Sequence, residues 1–281
     1  MTNIKVSVII PTYNREALLV NTIKYLLKQN FEYEYEIIIV DQTNNHESET
    51  QKFLNEIQIT QKNKIKYFLL EKPSLTSAKN FGIKNAKSDI LIFVDDDISC
   101  DENFVKNYFD LHNEGFDVIQ GRIIEQGSEN KIKSKPTWIY PWIKFKGGNN
   151  CLTRGKTNNI SGCNFSISKK VVEKVGYFDE RYIKIATRED SDYGYRCYKA
   201  KMKMIFDPKP FIFHYRSDSG GVESGIKNQF FDQTFYDCHM LFASKHFLPI
   251  FKWIYFIRLY KYSKRQLYKM IRDSYKKSKF N

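Results

Sequence analysis

Short uninterrupted apolar runs alternate with amphipathic stretches over the first hundred positions. Residues 5–10 are mostly apolar, rich in β-branched side chains and stopped by Pro11, which predicts a buried strand. Residues 15–29 follow with Leu19, Ile23, Leu26 and Leu27 on one helical face. The same alternation predicts strands at 36–40, 64–70 and 90–94, and helices at 51–59 and 74–86. Continuous apolar strands separated by amphipathic helices imply a mostly parallel sheet covered on both faces.

Past Asp97 the rhythm weakens. The pattern predicts helices at 103–113, 168–175 and 190–200, and strands at 118–124, 202–206 and 211–214. Residues 129–159 are polar and broken by Pro136, Pro141, Gly147 and Gly148, which predicts a long functional loop with the glycine pair as a hinge. Its aromatics, Trp138, Tyr140 and Trp142, suit either a lid over a sugar ring or a hydrophobic anchor for the loop. Near the end, Ile250, Trp253, Ile254, Ile257, Tyr260, Leu267, Tyr268, Ile271 and Tyr275 recur at near-helical spacing among basic residues.

Composition narrows the class. A chain of 281 residues with 42% hydrophobic content buries a substantial core. No stretch reaches the roughly 18 apolar residues of a membrane span, since 247–260 is broken by Lys252 and Arg258. The apolar run from Val6 to Ile10 is too short for a secretory leader. The five cysteines are odd in number and scattered, so reduced thiols and a cytoplasmic location are expected. The net charge of +13 is uneven: from Ser244 onward there are eleven Lys/Arg against one acid, Asp273. Such a tail suits either a peripheral contact with an anionic inner-membrane face or a packed terminal helix with a solvated basic side. With the rest close to neutral, no nucleic-acid partner is expected.

Candidate chemistry collects where the predicted strands end. The first delivers Pro11, Thr12, Tyr13 and Arg15, the second Asp41 and Gln42, the fourth Asp95, Asp96 and Asp97. Open α/β sheets bind ligands outside the carboxyl ends of their strands. Three consecutive carboxylates repel unless solvated or bound to a cation, and a hard divalent ion takes carboxylates together with substrate phosphates. The cluster therefore predicts a nucleotide diphosphate bridged to the protein by Mn²⁺ or Mg²⁺. No Gly-x-Gly-x-x-Gly or Gly-x-x-x-x-Gly-Lys-Ser/Thr occurs, which leaves phosphate charge to the metal and to cations such as Lys79.

The ordered set of motifs resembles the family 2 glycosyltransferases of GT-A fold. It comprises Val-Ser-Val-Ile-Ile-Pro-Thr-Tyr-Asn-Arg, Glu-Ile-Ile-Ile-Val-Asp, Ser77-Ala78-Lys79-Asn80-Phe81-Gly82-Ile83 and Phe-Val-Asp-Asp-Asp. Gly162-Cys163-Asn164-Phe165, Gly176-Tyr177-Phe178-Asp179-Glu180, Glu189-Asp190-Ser191-Asp192 and His214 complete it over about residues 4–215. The resemblance implies that Pro11, Thr12 and Tyr13 line the base and ribose pocket, with Arg15 nearby, and that Asp41 and Gln42 read the base edge. It places Lys79 at the diphosphate and Asp97 on the metal, with Asp96 in the same nucleotide-binding cluster. Asp95 turns to the ribose, the sugar or the metal, and His214 completes the metal or diphosphate shell. Asp190, beside Glu189, becomes the general base of a single displacement that inverts the anomeric centre. Gln42 stands where many relatives carry a second acid, and an amide need not select the same base edge as a carboxylate.

The implied function is transfer from a nucleotide diphosphate sugar, UDP-linked by first expectation, to a glycan or lipid-linked acceptor in surface polysaccharide synthesis. The implied layout is a nucleotide-sugar half (1–125), an acceptor and catalytic half (126–220) and a basic helical extension (221–281). Competing readings are a nucleotidyltransferase, which normally carries a Gly-rich loop after the first strand, and an inactive nucleotide-sugar-binding module. A nucleic-acid-binding protein is the third.

Overall fold

A computed structural model describes residues 4–215, 221, 232–262 and 268–277, with backbone alone at 260–262 and 268–269. The expected strands are β1 (Val6–Thr12), β2 (Tyr35–Asp41), β3 (Ile65–Leu69), β4 (Ile90–Val94) and β6 (Val118–Glu125). The structure adds β5 (Ile98–Cys100), β7 (Trp138–Tyr140), β8 (Lys144–Lys146) and β9 (Asn164–Ser168), and runs β10 from Met204 to His214. The central sheet has the order β3-β2-β1-β4-β9-β6-β10-β5. β9 pairs antiparallel with both β4 and β6, and β5 antiparallel with β10; every other pairing is parallel. This is the expected mostly parallel GT-A sheet flanked by helices. Because β9 inserts between β4 and β6, the stretches before and after residue 125 share one sheet.

Alternation within single strands explains their continuous hydrophobicity. On β1, Val6, Val8 and Ile10 enter one core while Ile9 enters the other; on β2, Ile37 and Ile39 oppose Ile38 and Val40. Helices α1 (Ala17–Leu27), α2 (Ser48–Thr60) and α4 (Phe104–Asn113) cover the first face through Leu19, Ile23, Leu54, Ile57, Phe104 and Val105. Helices α3 (Leu75–Asn85), α5 (Lys169–Val175) and α6 (Glu189–Lys199) cover the second through Ala78, Ile83, Val171 and Tyr193. A Cβ on Gly82 would lie 2.5 Å from Ile9 Cγ2, so α3 reaches β1 only because that side chain is missing.

Three expectations change. The strands expected at 202–206 and 211–214 are one strand, with a register shift between Asp207 and Phe211 that accommodates Pro208 and Pro210. The loop expected at 129–159 contains the antiparallel hairpin β7–β8. Gly147 and Gly148 serve close packing there: a Cβ on Gly147 would lie 2.1 Å from the Pro136 carbonyl, and one on Gly148 2.5 Å from Lys133 Cγ. The basic tail is not one amphipathic helix. It forms α8 (Pro249–Tyr262) and α9 (Tyr268–Lys277), packed with α7 (Gln233–His246) around a third core. Tyr255, Phe256 and Ile271 are buried in that core with Ile139 and Ile143 of the hairpin region and Tyr182 and Ile185 before α6. Leu267 lies outside the described residues. Among the described residues no helix is long and apolar enough to cross a membrane. Four of the five thiols are buried, Cys100 is half-buried, and all five are free.

Candidate active site

β1 has β2 on one side and β4 on the other, so the sheet grows in opposite directions from this point. The crevice at such a switch lies beyond the strands' carboxyl ends, where Arg15 follows β1 and Asp95–Asp97 follow β4. The short strand β5 brings the third element in. It begins at Ile98, directly after the acids, and pairs Ile98 with His214 at the end of β10. A residue 117 positions later in the chain thereby enters the acid cluster.

One ligand atom each from Asp95, Asp97 and His214 lies within 4.8 Å of the others. His214 Nε2 stands 3.0 Å from Asp97 Oδ1 and 3.7 Å from Asp95 Oδ2, while Nδ1 stands 3.3 Å from Glu125 Oε2. Burial alone would lower the imidazole pKa, but hydrogen bonds to Asp97 and Glu125 and the charge of Asp95 raise it to about 10. On the other side Arg15 binds Asp97 Oδ2 at 2.9 Å and Asp96 Oδ1 at 3.0 Å. Burial pushes the Asp96 carboxyl up to about 7 against the pull of Arg15. Two carboxylate oxygens and an imidazole nitrogen, with Arg15 offsetting the remaining charge, form a donor set that fits a divalent metal ion.

Beside this cluster Lys79 and Glu189 form a buried ion pair at 2.7 Å. Lys79 is fully buried, which lowers its pKa, yet the carboxylates of Glu189, Asp95 and Asp190 outweigh that and hold it protonated. Burial drives Glu189 up to about 7 despite Lys79. Lys79, expected at a diphosphate, is paired with Glu189 beside the acid cluster. Gly162 makes the pair possible: a Cβ there would sit 2.9 Å from Lys79 Nζ and 3.2 Å from Glu189 Oε1. The Gly162 N–H donates to Asp190 Oδ2 at 3.0 Å, so one backbone position spaces the pair and orients the expected base. Asp190 itself is half-buried at the start of α6.

Asp41 and Gln42, expected at the base edge, are both held by protein partners. Asp41 is fully buried: Oδ1 accepts the Thr43 N–H, and Oδ2 accepts Tyr67 Oη–H and faces His46 Nε2 at 2.7 Å. His46 Nδ1 in turn lies 3.1 Å from Glu16 Oε1. Gln42 is equally engaged, its Oε1 accepting the Ser74 N–H and its Nε2 donating to Thr12 O at 3.4 Å. In this conformation the pair ties β2 to its neighbours and presents no free carboxylate. Pro11 and Thr12 are buried at the end of β1, and Tyr13 is half-buried with its carbonyl accepting the Gly221 N–H.

Trp138 packs edge-on against Tyr198 of α6, Tyr140 stacks on Trp142 at 5.1 Å, and Arg188 lies 4.1 Å from the Phe145 ring centroid. These contacts make the hairpin an anchored element beside α6. Glu125 is the site residue that sequence reasoning missed; its only signal was a carboxylate one place beyond the strand expected at 118–124. His46 had no individual signal, and Gly162 stood out only as part of its motif, because the pair it spaces comes from the remote Lys79 and Glu189.

The pattern described as glycosyl transferase family 2 matches residues 7–176. Chondroitin synthase of Pasteurella multocida is 27% identical over 234 residues, covering 70% of this chain and 23% of that protein. The GalNAc(5)-diNAcBac-PP-undecaprenol beta-1,3-glucosyltransferase of Campylobacter jejuni is 31% identical over 131 residues, covering 46% of this chain and 41% of that protein. The chain thus spans less than half the length of either relative. The crystal structure of GalNAc-T7 with UDP, GalNAc and Mn²⁺ superposes with a TM-score of 0.71 at 18% identity, covering 99% of this chain and 56% of that one. With the family pattern extending over more than half of its length and the switch-point acids where the fold puts a ligand, this chain belongs to glycosyl transferase family 2.

Proposed function

We propose that the chain is an inverting glycosyltransferase using a UDP-linked sugar, with a glycan or lipid-linked glycan as acceptor. The observation that carries this is the meeting of Asp95, Asp97 and His214 at the switch point, next to Asp190 on the Gly162 amide. Similarity to a protein solved with UDP and Mn²⁺, and to relatives named for glycan and undecaprenyl-linked products, favours the donor and acceptor classes. The free thiols fit a reducing cytoplasmic location.

Asp95, Asp97 and His214 would hold the divalent ion, which when bound offsets charge on the departing diphosphate. Arg15 keeps the acids together and leaves the cluster less negative towards an anionic donor. A sugar hydroxyl is a poor nucleophile, so Asp190 takes its proton as the oxygen attacks the anomeric carbon. The bond from that carbon to the diphosphate oxygen breaks as the new one forms, and the diphosphate leaves with the electron pair. Attack from the face opposite the leaving group inverts the centre. Lys79 and Glu189 position Asp190 by fixing the start of α6 against Gly162.

Calorimetry with UDP tests the donor site. Binding is expected with Mn²⁺ or Mg²⁺, and little with chelator or in Asp97→Asn. Equal binding under all three conditions removes the metal from the account.

A further inference from the structure

We propose that the β7–β8 hairpin and α8 together form a docking face for an anionic lipid bilayer. Helix α8 buries Tyr255 and Phe256 in the third core but turns a second apolar stripe outward. Ile250, Trp253 and Ile257 recur at helical spacing and remain 58%, 47% and 44% exposed. Trp142, 39% exposed, belongs to the same face, because the Arg258 side chain of α8 donates to its carbonyl at 2.9 Å. Exposed apolar side chains gathered this way mark an interaction surface, and tryptophan is the side chain that best suits the boundary between water and lipid.

Charge selects the partner. Along the sequence, residues 131–172, which contain the hairpin, hold nine Lys/Arg and no acid, and the stretch from Ser244 onward holds eleven against one acid; Arg154, Lys170, Lys245 and Lys277 are taken up by acids elsewhere in the fold. Lys144 and Lys146 on β8 follow Trp142 in the chain and are exposed. A protein partner of ordinary composition would not call for so one-sided a surround; a bilayer rich in anionic headgroups does. Apolar insertion and basic attraction are the two signals that together give a firm yet reversible surface anchor. The hairpin is not a free loop on this face: Trp138 packs on Tyr198 of α6, so the docking face is joined to the helix that carries Asp190. This deepens the reading of a lipid-linked acceptor and does not depend on the donor chemistry.

The test is co-sedimentation of the full chain with vesicles of phosphatidylglycerol and phosphatidylcholine, and with phosphatidylcholine alone. The expected result is binding selective for the anionic vesicles and weakened by salt. Ile250→Ser combined with Ile257→Ser removes only exposed side chains, and Lys144→Gln combined with Lys146→Gln removes only charge. Each pair should lower the partition coefficient by on the order of tenfold, with UDP binding unchanged. Wild-type vesicle binding in both pairs overturns the proposal, as does equal binding to neutral vesicles. A concentration-dependent dimer dissolved by Ile250→Ser with Ile257→Ser would assign the face to a second copy of the chain instead. Loss of UDP binding in the wild type would fall on the donor-site reading and leave this one standing.

Discussion

His246, in the last turn of α7, places Nε2 2.7 Å from Asp192 Oδ1, so the C-terminal helices grip α6 two residues beyond Asp190. Lys245 reaches the same oxygen at 2.6 Å, and Arg196 takes Oδ2 at 2.9 Å. Burial raises the Asp192 carboxyl, but His246, Lys245 and Arg196 together overcome it and hold it lowered to about 2. Burial also lowers His246, which keeps its imidazole neutral, so the cationic charge in this cluster comes from Lys245 and Arg196.

A pH dependence follows from that shift. A carboxylate lowered by folding contributes stability above its unfolded value of about 4, and loses the contribution as pH falls through about 2. His112, lowered by burial to about 4, adds to the acid sensitivity, since the unfolded chain binds its proton first. Urea unfolding followed by circular dichroism should show the steepest loss of stability between about pH 4 and 2, since above that range the raised carboxyls of Asp96 and Glu189 take up protons first in the folded state and oppose His112. In Asp192→Asn the lower part of that slope should flatten, with about 2–3 kcal/mol already lost at pH 7. An unchanged slope would detach Asp192 from acid stability.

The pair of Lys79 and Glu189 should be sensitive to the loss of either partner alone. Lys79→Met leaves a buried carboxylate without its counter-ion and is expected to cost about 3–5 kcal/mol. Lys79→Met with Glu189→Leu should recover part of the loss, because no unpaired charge remains. Denaturant midpoints of the two single variants and the double variant give the coupling directly. Additive losses would mean that the two groups do not act as a pair.

Asp190→Asn is expected to spare UDP binding and lower sugar transfer by about 10²–10⁴-fold, the usual contribution of a general base. The measurement is turnover at saturating donor, with calorimetry as the binding control. Near-normal turnover would move the base elsewhere, with Asp192 unsuitable because both of its oxygens are engaged.

Glu125→Gln should weaken divalent-ion affinity by about 10–100-fold, since a carboxylate on the far nitrogen of a ligating histidine fixes its tautomer and basicity. Mn²⁺ titration followed by electron paramagnetic resonance reads this without any turnover. Wild-type affinity in the variant would leave Glu125 outside the site.

The first four strands and the helices between them were legible because each is decided by local periodicity. A strand such as 36–40 is apolar on both faces only if both faces are covered, and the two cores split its side chains as that requires. The acids after β4 were legible for the same reason, as a polar triplet directly following a buried strand. β5 was not: three residues carry no period, and the strand exists because β10 lies beside it. The long loop hid a hairpin whose glycines answer to Pro136 and Lys133, contacts that no local pattern encodes.

The sequence by itself determined which residue types stand at the strand ends and in what order, because those positions follow from hydrophobic runs a few residues long. Tertiary structure decided what each of them faces. Lys79 stands on Glu189, 110 residues away, and Asp41 is held by His46 and Tyr67. His214 meets Asp97 only through the pairing of β5 with β10. The tail shows the same division: its periodicity announced helices, but one helical stripe packs inward and another faces out. Periodicity is set by backbone geometry within a few residues, whereas the partner of a charged or apolar side chain is set by burial and register across the whole chain.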